Sequence, residues 1–344
     1  MNDTAPMLDT GQQLNGDMYG RIGNAARAAS RWDVVMRPTG PGRFPARVRA
    51  ARAALRQLEA EIATFTKDAA SEDAQASPLW RALREVQSTP RLLRSAIHAV
   101  SDRPKIVAQL PRVVVGDQPV EPRAAAAAAI YLHAVSGDFS ADTFRCFVRA
   151  CQEHEPLNVD ELWNIAAFLR FVLLEWILER TRTLLHSPDS AGAEALPVWL
   201  KSLRAITNAD LVFLIEPLIV FDMLLKQDPA GAYTRMDFES RELYRKHIAF
   251  IARYSDCTER EVAQAVLDLA REGGAQPAND PRVSLRRIHV GYYLVDKGFA
   301  RLAERVGFHP PVSYRVQQFV RANGEDFFIT GIQLFTLLIL AVVL

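Results

Sequence analysis

The last eighteen residues, Phe327 to Leu344 (FFITGIQLFTLLILAVVL), carry no charged side chain. A membrane-crossing helix needs about 20 mostly apolar residues, so the run predicts the start of a transmembrane helix. Only its near side has a polar flank, and the apolar pattern stops in mid-course. The expectation is therefore a helical region feeding into a membrane, in a protein that continues past Leu344. Of the eight Lys or Arg between Arg282 and Arg321, Arg305, Arg315 and Arg321 lie closest to the run. By the positive-inside rule they place the N-terminal side in the cytoplasm. The first thirty residues lack the basic patch and apolar stretch of a secretion signal.

Composition narrows the partners. Lys plus Arg number 41 against 40 Asp plus Glu, so the chain lacks the basic excess that neutralising a phosphate backbone requires, and nucleic acid is not an expected partner. Cys146, Cys151 and Cys257 are odd in number and scattered, which fits a reducing compartment better than a disulfide framework. A 49% hydrophobic content is ample for a sizeable core.

The periodicity is helical almost throughout. Residues 1–42 show no apolar period and read as a disordered arm. Val48, Leu55, Leu58, Ile62 and Phe65 mark a helix over 44–68. Ser77-Pro78 caps the next, which is interrupted near Pro90 and runs on to Val100, forming a hairpin with the first. Four prolines between 104 and 122 flank Val113–Val115, where any strand is short. Six alanines, 124–129, predict a tightly packed inner helix, and another helix spans 139–151. Asn158 with Glu161 makes a capping pair before the apolar body of 162–185, the central buried helix, whose Arg170 and Glu175 need partners.

Helices follow over 197–206 and 208–226, the second kinked at Pro217 unless that proline falls in its first turn. A hairpin over 237–254 and 258–271, capped by Thr258 and Glu261, precedes a glycine-rich loop at 273–281. The fold class is all-α: an array of packed helical hairpins ending in a partial transmembrane helix. The division is 1–42 arm, 43–227 helical region, 228–326 helical region before the membrane, and 327–344 membrane segment.

Chemical motifs are sparse. His154 near Cys151, Glu153 and Glu155 lacks converging partners for a metal. No Asp-x-Asp pair, P-loop or Gly-x-Ser-x-Gly elbow occurs, so no catalytic, cofactor-binding or metal-ligating residue is assigned. Arg287–Gly298, RIHVGYYLVDKG, gathers His289, two tyrosines, Asp296 and Lys297 around glycines, in the manner of a turn with aromatic packing or of a docking surface.

One block carries a resemblance. Asp228-Pro229, Gly231, Tyr233, Met236-Asp237-Phe238, Arg241 and Tyr244-Arg245, then the TEREVAQAVLDLA helix and HVGYYLVDKG, resemble the segment before the first membrane helix of the bacterial cyclic β-1,2-glucan synthases. Leu110–Trp176 is similar to their upstream helices, and the likeness spans about 77–344. It implies the non-catalytic N-terminal region of an inner-membrane enzyme that polymerises glucose from UDP-glucose, with UDP-glucose and a divalent cation bound elsewhere in the full enzyme. The implied partners are the downstream transferase domain of the same polypeptide, the membrane and a second copy of the chain. The expected docking surface comprises Asp237, Arg241, Tyr244, Arg245, His289, Tyr292 and Tyr293. The competing expectation is a tail-anchored helical module that recruits a cytosolic partner.

Overall fold

Alanine and leucine at helical spacing produce an all-α protein. The computed structural model describes residues 9–38, 42–68, 77–114, 121–187, 193–275, 281–312 and 314–316, with 333, 336, 339 and 340. In chain order the elements are α1 (Asp9–Ala29), β1 (Asp33–Val35), α2 (Phe44–Asp68), α3 (Pro78–Ser88), α4 (Pro90–Ser101), α5 (Pro104–Gln109), β2 (Arg112–Val114) and β3 (Glu121–Pro122). Then come α6 (Arg123–Ala134), α7 (Ala141–His154), α8 (Val159–His186), α9 (Ala195–Asn208), α10 (Leu211–Ile215) and α11 (Asp222–Leu225). The last are α12 (Phe238–Arg253), α13 (Glu259–Ala275), α14 (Pro281–Arg287), α15 (Val290–Val295) and α16 (Phe299–Arg305). They fall into two units, Met1–Asp222 and Met223–Leu344.

Unit 1 is built around α8. The Asn158 side chain accepts from the Glu161 amide while Glu161 accepts from the Asn158 amide, closing the capping box that the sequence predicts. Helices α2, α4, α6 and α9 pack on α8. Ala124–Ala128 are all buried, and their small side chains bring α6 close to both α8 and α1. Phe44 of α2 meets Phe168 and Phe171 of α8 edge-on, with ring centroids 5.3 and 5.4 Å apart. Glu175 finds its partner in Arg47, which donates from Nε and Nη2 at 2.7 and 2.6 Å. The buried Nε of Arg170 has no hydrogen-bond partner among the described residues.

In this part of the chain three sequence expectations change. The arm contains α1, because Ile22, Ala25, Ala26 and Ala29 recur at i, i+3, i+4 and i+7 and are buried. That stripe is mostly alanine, so it gives little hydropathy signal, yet α1 packs on α6 and α7. The residues after α1 add an unforeseen strand: Val34 pairs with Val113 in an antiparallel three-stranded sheet ordered β1-β2-β3. The 208–226 helix breaks at Pro217 instead of kinking, giving α10, a 3₁₀ turn at Glu216–Leu218 and then α11. Proline lacks the amide needed to continue the ladder and crowds the preceding turn.

In unit 2, α13, α15 and α16 pack together and α12 joins them, around Ile248, Ile251, Val262, Val266, Leu267, Leu294 and Leu302. Thr258 and Glu261 cap α13 reciprocally, the Thr258 amide donating to Glu261 at 2.7 Å and the Glu261 amide to Thr258 Oγ1 at 3.3 Å. The predicted loop at 273–281 starts later, since Gly273 and Gly274 remain helical. A Cβ on Gly273 would lie 2.5 Å from the Arg287 carbonyl and from the Tyr293 hydroxyl, so this glycine serves close packing and not a turn. Among the described residues no helix is long and apolar enough to cross a membrane. The predicted span at 327–344 lies almost wholly outside them.

Candidate functional site

Three segments of unit 2 converge on Asp228. Asp228-Pro229 opens a turn, helped by Gly231 at φ +60°, that folds the following backbone back onto the carboxylate. Oδ2 accepts from the amides of Ala232 and Tyr233 at 3.0 and 3.2 Å. Oδ1 accepts from Ala230 at 3.4 Å and, from α15, the Val290 amide at 3.1 Å. His289 Nδ1 lies 2.8 Å from Oδ2, and Tyr244 Oη of α12 lies 3.1 Å from His289 Nε2. In the neutral ring these partners select one tautomer, with Nδ1–H donating to the carboxylate and Nε2 accepting from the phenol. The Asp228 side chain is 0% exposed and that of His289 21%.

The electrostatics follow from this geometry. Burial pushes the Asp228 carboxyl up, but His289 and the amides of Val290 and Tyr233 outweigh it and hold the group below the usual carboxylate range. Burial, with the nearby Asp228 charge, pushes the Tyr244 phenol up. The phenol therefore remains a protonated donor, the opposite of what an activated nucleophile requires. A Cβ on Gly291 would collide with the Tyr244 hydroxyl and lie 2.6 Å from His289 Nε2, so only glycine admits the contact. The Asp228–His289–Tyr244 chain is thus a clasp that fixes the 228–235 turn, α12 and α15 to one another.

The expected docking residues separate into two groups. Tyr244, Arg245 and Tyr293 are 7%, 0% and 0% exposed and lie inside the unit, because α12 and α15 pack on each other and on α13. Arg245 lies over the Phe238 ring at 5.9 Å and 3.8 Å from Glu242. Tyr293 meets Tyr292 edge-on. Asp237 is exposed and caps α12 by accepting from the Ser240 amide at 2.7 Å, while Arg241, His289 and Tyr292 are half-buried. Sequence reasoning missed Asp228 as the hub; its one local signal is an Asp-Pro dipeptide ahead of Gly231, the mark of a side-chain-stabilised turn.

Unit 1 holds a cleft of 390 Å³ between α2 and α8, lined by Arg47, Ala51, Gln57, Glu175, Trp176 and Arg182 among others. At its end Arg47 also donates to Glu121 at 2.6 Å. Burial raises Glu121, Arg47 draws it down and Glu175 pushes it up, leaving it above its ordinary range. His154 is exposed, whereas Cys151 is buried with its thiol pushed up to about 12 by that burial. Among the described residues no group of three or more His, Cys, Asp or Glu could hold a metal ion.

No family model matches the chain. The chain is distantly homologous to part of the cyclic beta-(1,2)-glucan synthase NdvB of Rhizobium meliloti (strain 1021), 24% identical over 364 aligned positions. The alignment covers 82% of this chain but 13% of that protein, so the chain spans about an eighth of its relative's length.

Proposed function

We propose that this chain is the N-terminal, non-catalytic helical region of a cyclic β-1,2-glucan synthase, scaffolding or regulating the enzyme at the cytoplasmic face of the bacterial inner membrane. The observation that carries the reading is the clasp: Asp228, Gly231, Tyr233, Tyr244, His289 and Gly291, drawn from separate parts of the glucan-synthase-like block, meet around the buried Asp228 carboxylate. A motif whose members support one another's geometry, with the phenol held protonated, is built to hold shape and not to turn over substrate. UDP-glucose and a divalent cation belong to a transferase domain that this region packs beside. Asp237, Arg241, His289 and Tyr292 remain at or near the surface for that contact.

Incorporation of glucose from radiolabelled UDP-glucose tests the proposal. Membranes carrying this chain joined to a glucosyltransferase domain are expected to make glucan, and membranes carrying the chain alone to make none. Glucan from the chain alone would place a catalytic site within it and overturn the reading.

A further inference from the structure

Charge in this chain is balanced overall but not locally. Between Pro281 and Arg321 the sequence holds eight Lys or Arg and two acidic residues, Asp296 and Glu304, so the rest of the chain is net acidic. Within that stretch Lys297, Arg301 and Arg315 are exposed. Arg305 is answered by Glu272 at 2.7 Å. Val312, Arg315 and Val316 share one helical face at i, i+3 and i+4, and the two valines are 68% and 55% exposed. An exposed turn that alternates branched aliphatics with arginine suits a surface that is apolar below and anionic above.

The turn is held firmly. Phe308 packs on Phe299 and Phe250 at 5.7 Å each, and Tyr314 packs on Phe250 at 5.0 Å. The His309 amide donates to the Tyr254 carbonyl at 2.7 Å. This aromatic knot holds Phe308 and Tyr314 to Phe250 of α12, and the uncharged run at 327–344 follows later in the sequence. Of that run, Ile339 and Leu340 are helical and 47% and 52% exposed.

We infer that Lys297, Arg301, Val312, Arg315 and Val316 form a docking surface for anionic lipid headgroups, laying unit 2 against the membrane. Three features favour lipid as the occupant: the positive charge, the valines on the same helical face as Arg315, and the uncharged run that follows in the sequence. The inference rests on the membrane-face reading above and gives that face a specific lipid chemistry.

The test is flotation of the full chain, translated beside phosphatidylcholine vesicles or vesicles also containing phosphatidylserine. The native chain is expected to favour the anionic vesicles by about a hundredfold, since each basic side chain near such a surface contributes severalfold. Lys297→Gln/Arg301→Gln/Arg315→Gln should lose that preference with an unchanged circular dichroism spectrum, and Val312→Ser/Val316→Ser should bind both vesicle types more weakly. Preference retained in the triple variant, or duplex DNA binding as tightly as the anionic vesicles and equally in the valine variant, would overturn the inference. Leu338→Lys/Ile339→Lys separates the two readings. Loss of phosphatidylcholine binding with the anionic preference kept supports both; phosphatidylcholine binding kept in full sinks the membrane role of the run while leaving the preference as the measure of the surface.

Discussion

Each unit buries a carboxylate, and they answer its charge differently. In unit 1, Glu161 is 0% exposed and faces Arg123, 2% exposed, whose Nε donates to Oε1 at 2.8 Å and whose Nη2 donates to Oε2. Arg123 also donates to the Pro156 carbonyl at 2.9 Å. In unit 2, Asp228 is answered by backbone amides and an imidazole. The first solution uses a permanent, bidentate cation. The second depends on a turn keeping its shape and on an imidazole carried beside α15. A fixed counter-charge makes unit 1 intolerant of losing either ion, whereas unit 2 spreads the same task over many weaker bonds.

The largest test of this contrast is Arg123→Ala. Removing one member of a buried pair strands the other, at a cost of about 3–5 kcal/mol, read as loss of hydrogen-exchange protection across α6 and α8. Arg123→Met with Glu161→Gln should recover most of that, because the charge is gone and glutamine can still serve the capping box. No recovery would show that the pair does more than neutralise. Next, Gly291→Ala should destabilise unit 2 by about 2 kcal/mol: the overlap with Tyr244 and His289 puts overpacking at its upper range of about 3 kcal/mol, against a helix-propensity gain of about 1 kcal/mol. Protection of α8 should not change.

Asp228→Asn should cost unit 2 about 2 kcal/mol, the scale of hydrogen bonds to a charged group. It also tests pH dependence. The folded carboxyl lies below its ordinary value, so its contribution is complete above the unfolded pKa, about 3.9, and is lost as pH falls from there through the folded value. Acid unfolding of α15 followed by hydrogen exchange should show this loss in the native chain and a shallower acid limb in the variant. Equal acid limbs would remove Asp228 as the source. The smallest effect is expected for Tyr244→Phe, about 1 kcal/mol for one hydrogen bond, with α15 losing protection while the 228–235 turn keeps its own.

Secondary structure was legible wherever the signal was local. The capping pairs Asn158/Glu161 and Thr258/Glu261, the Ser77-Pro78 start and the amphipathic α2 all lie within a few residues of what they control. Helix α1 was missed because an alanine stripe is nearly invisible to hydropathy, and the loop at 273–281 was misplaced because Gly273 signals close packing as readily as a turn. The candidate site was half legible: Tyr244 and His289 stood out as residue types, but nothing at Asp228 announces that His289, far along the chain, will point at it.

The sequence by itself determined the helical class, most helix starts and the uncharged run, since propensity, capping and apolar spacing act over one or two turns. Only the tertiary structure decided that Arg245 and Tyr293 turn inward, that Asp228 is the centre of a clasp, and that Arg123 meets Glu161. Such pairings are set by which faces pack together, and the free energy of burying a charge depends on partners that the linear order does not display.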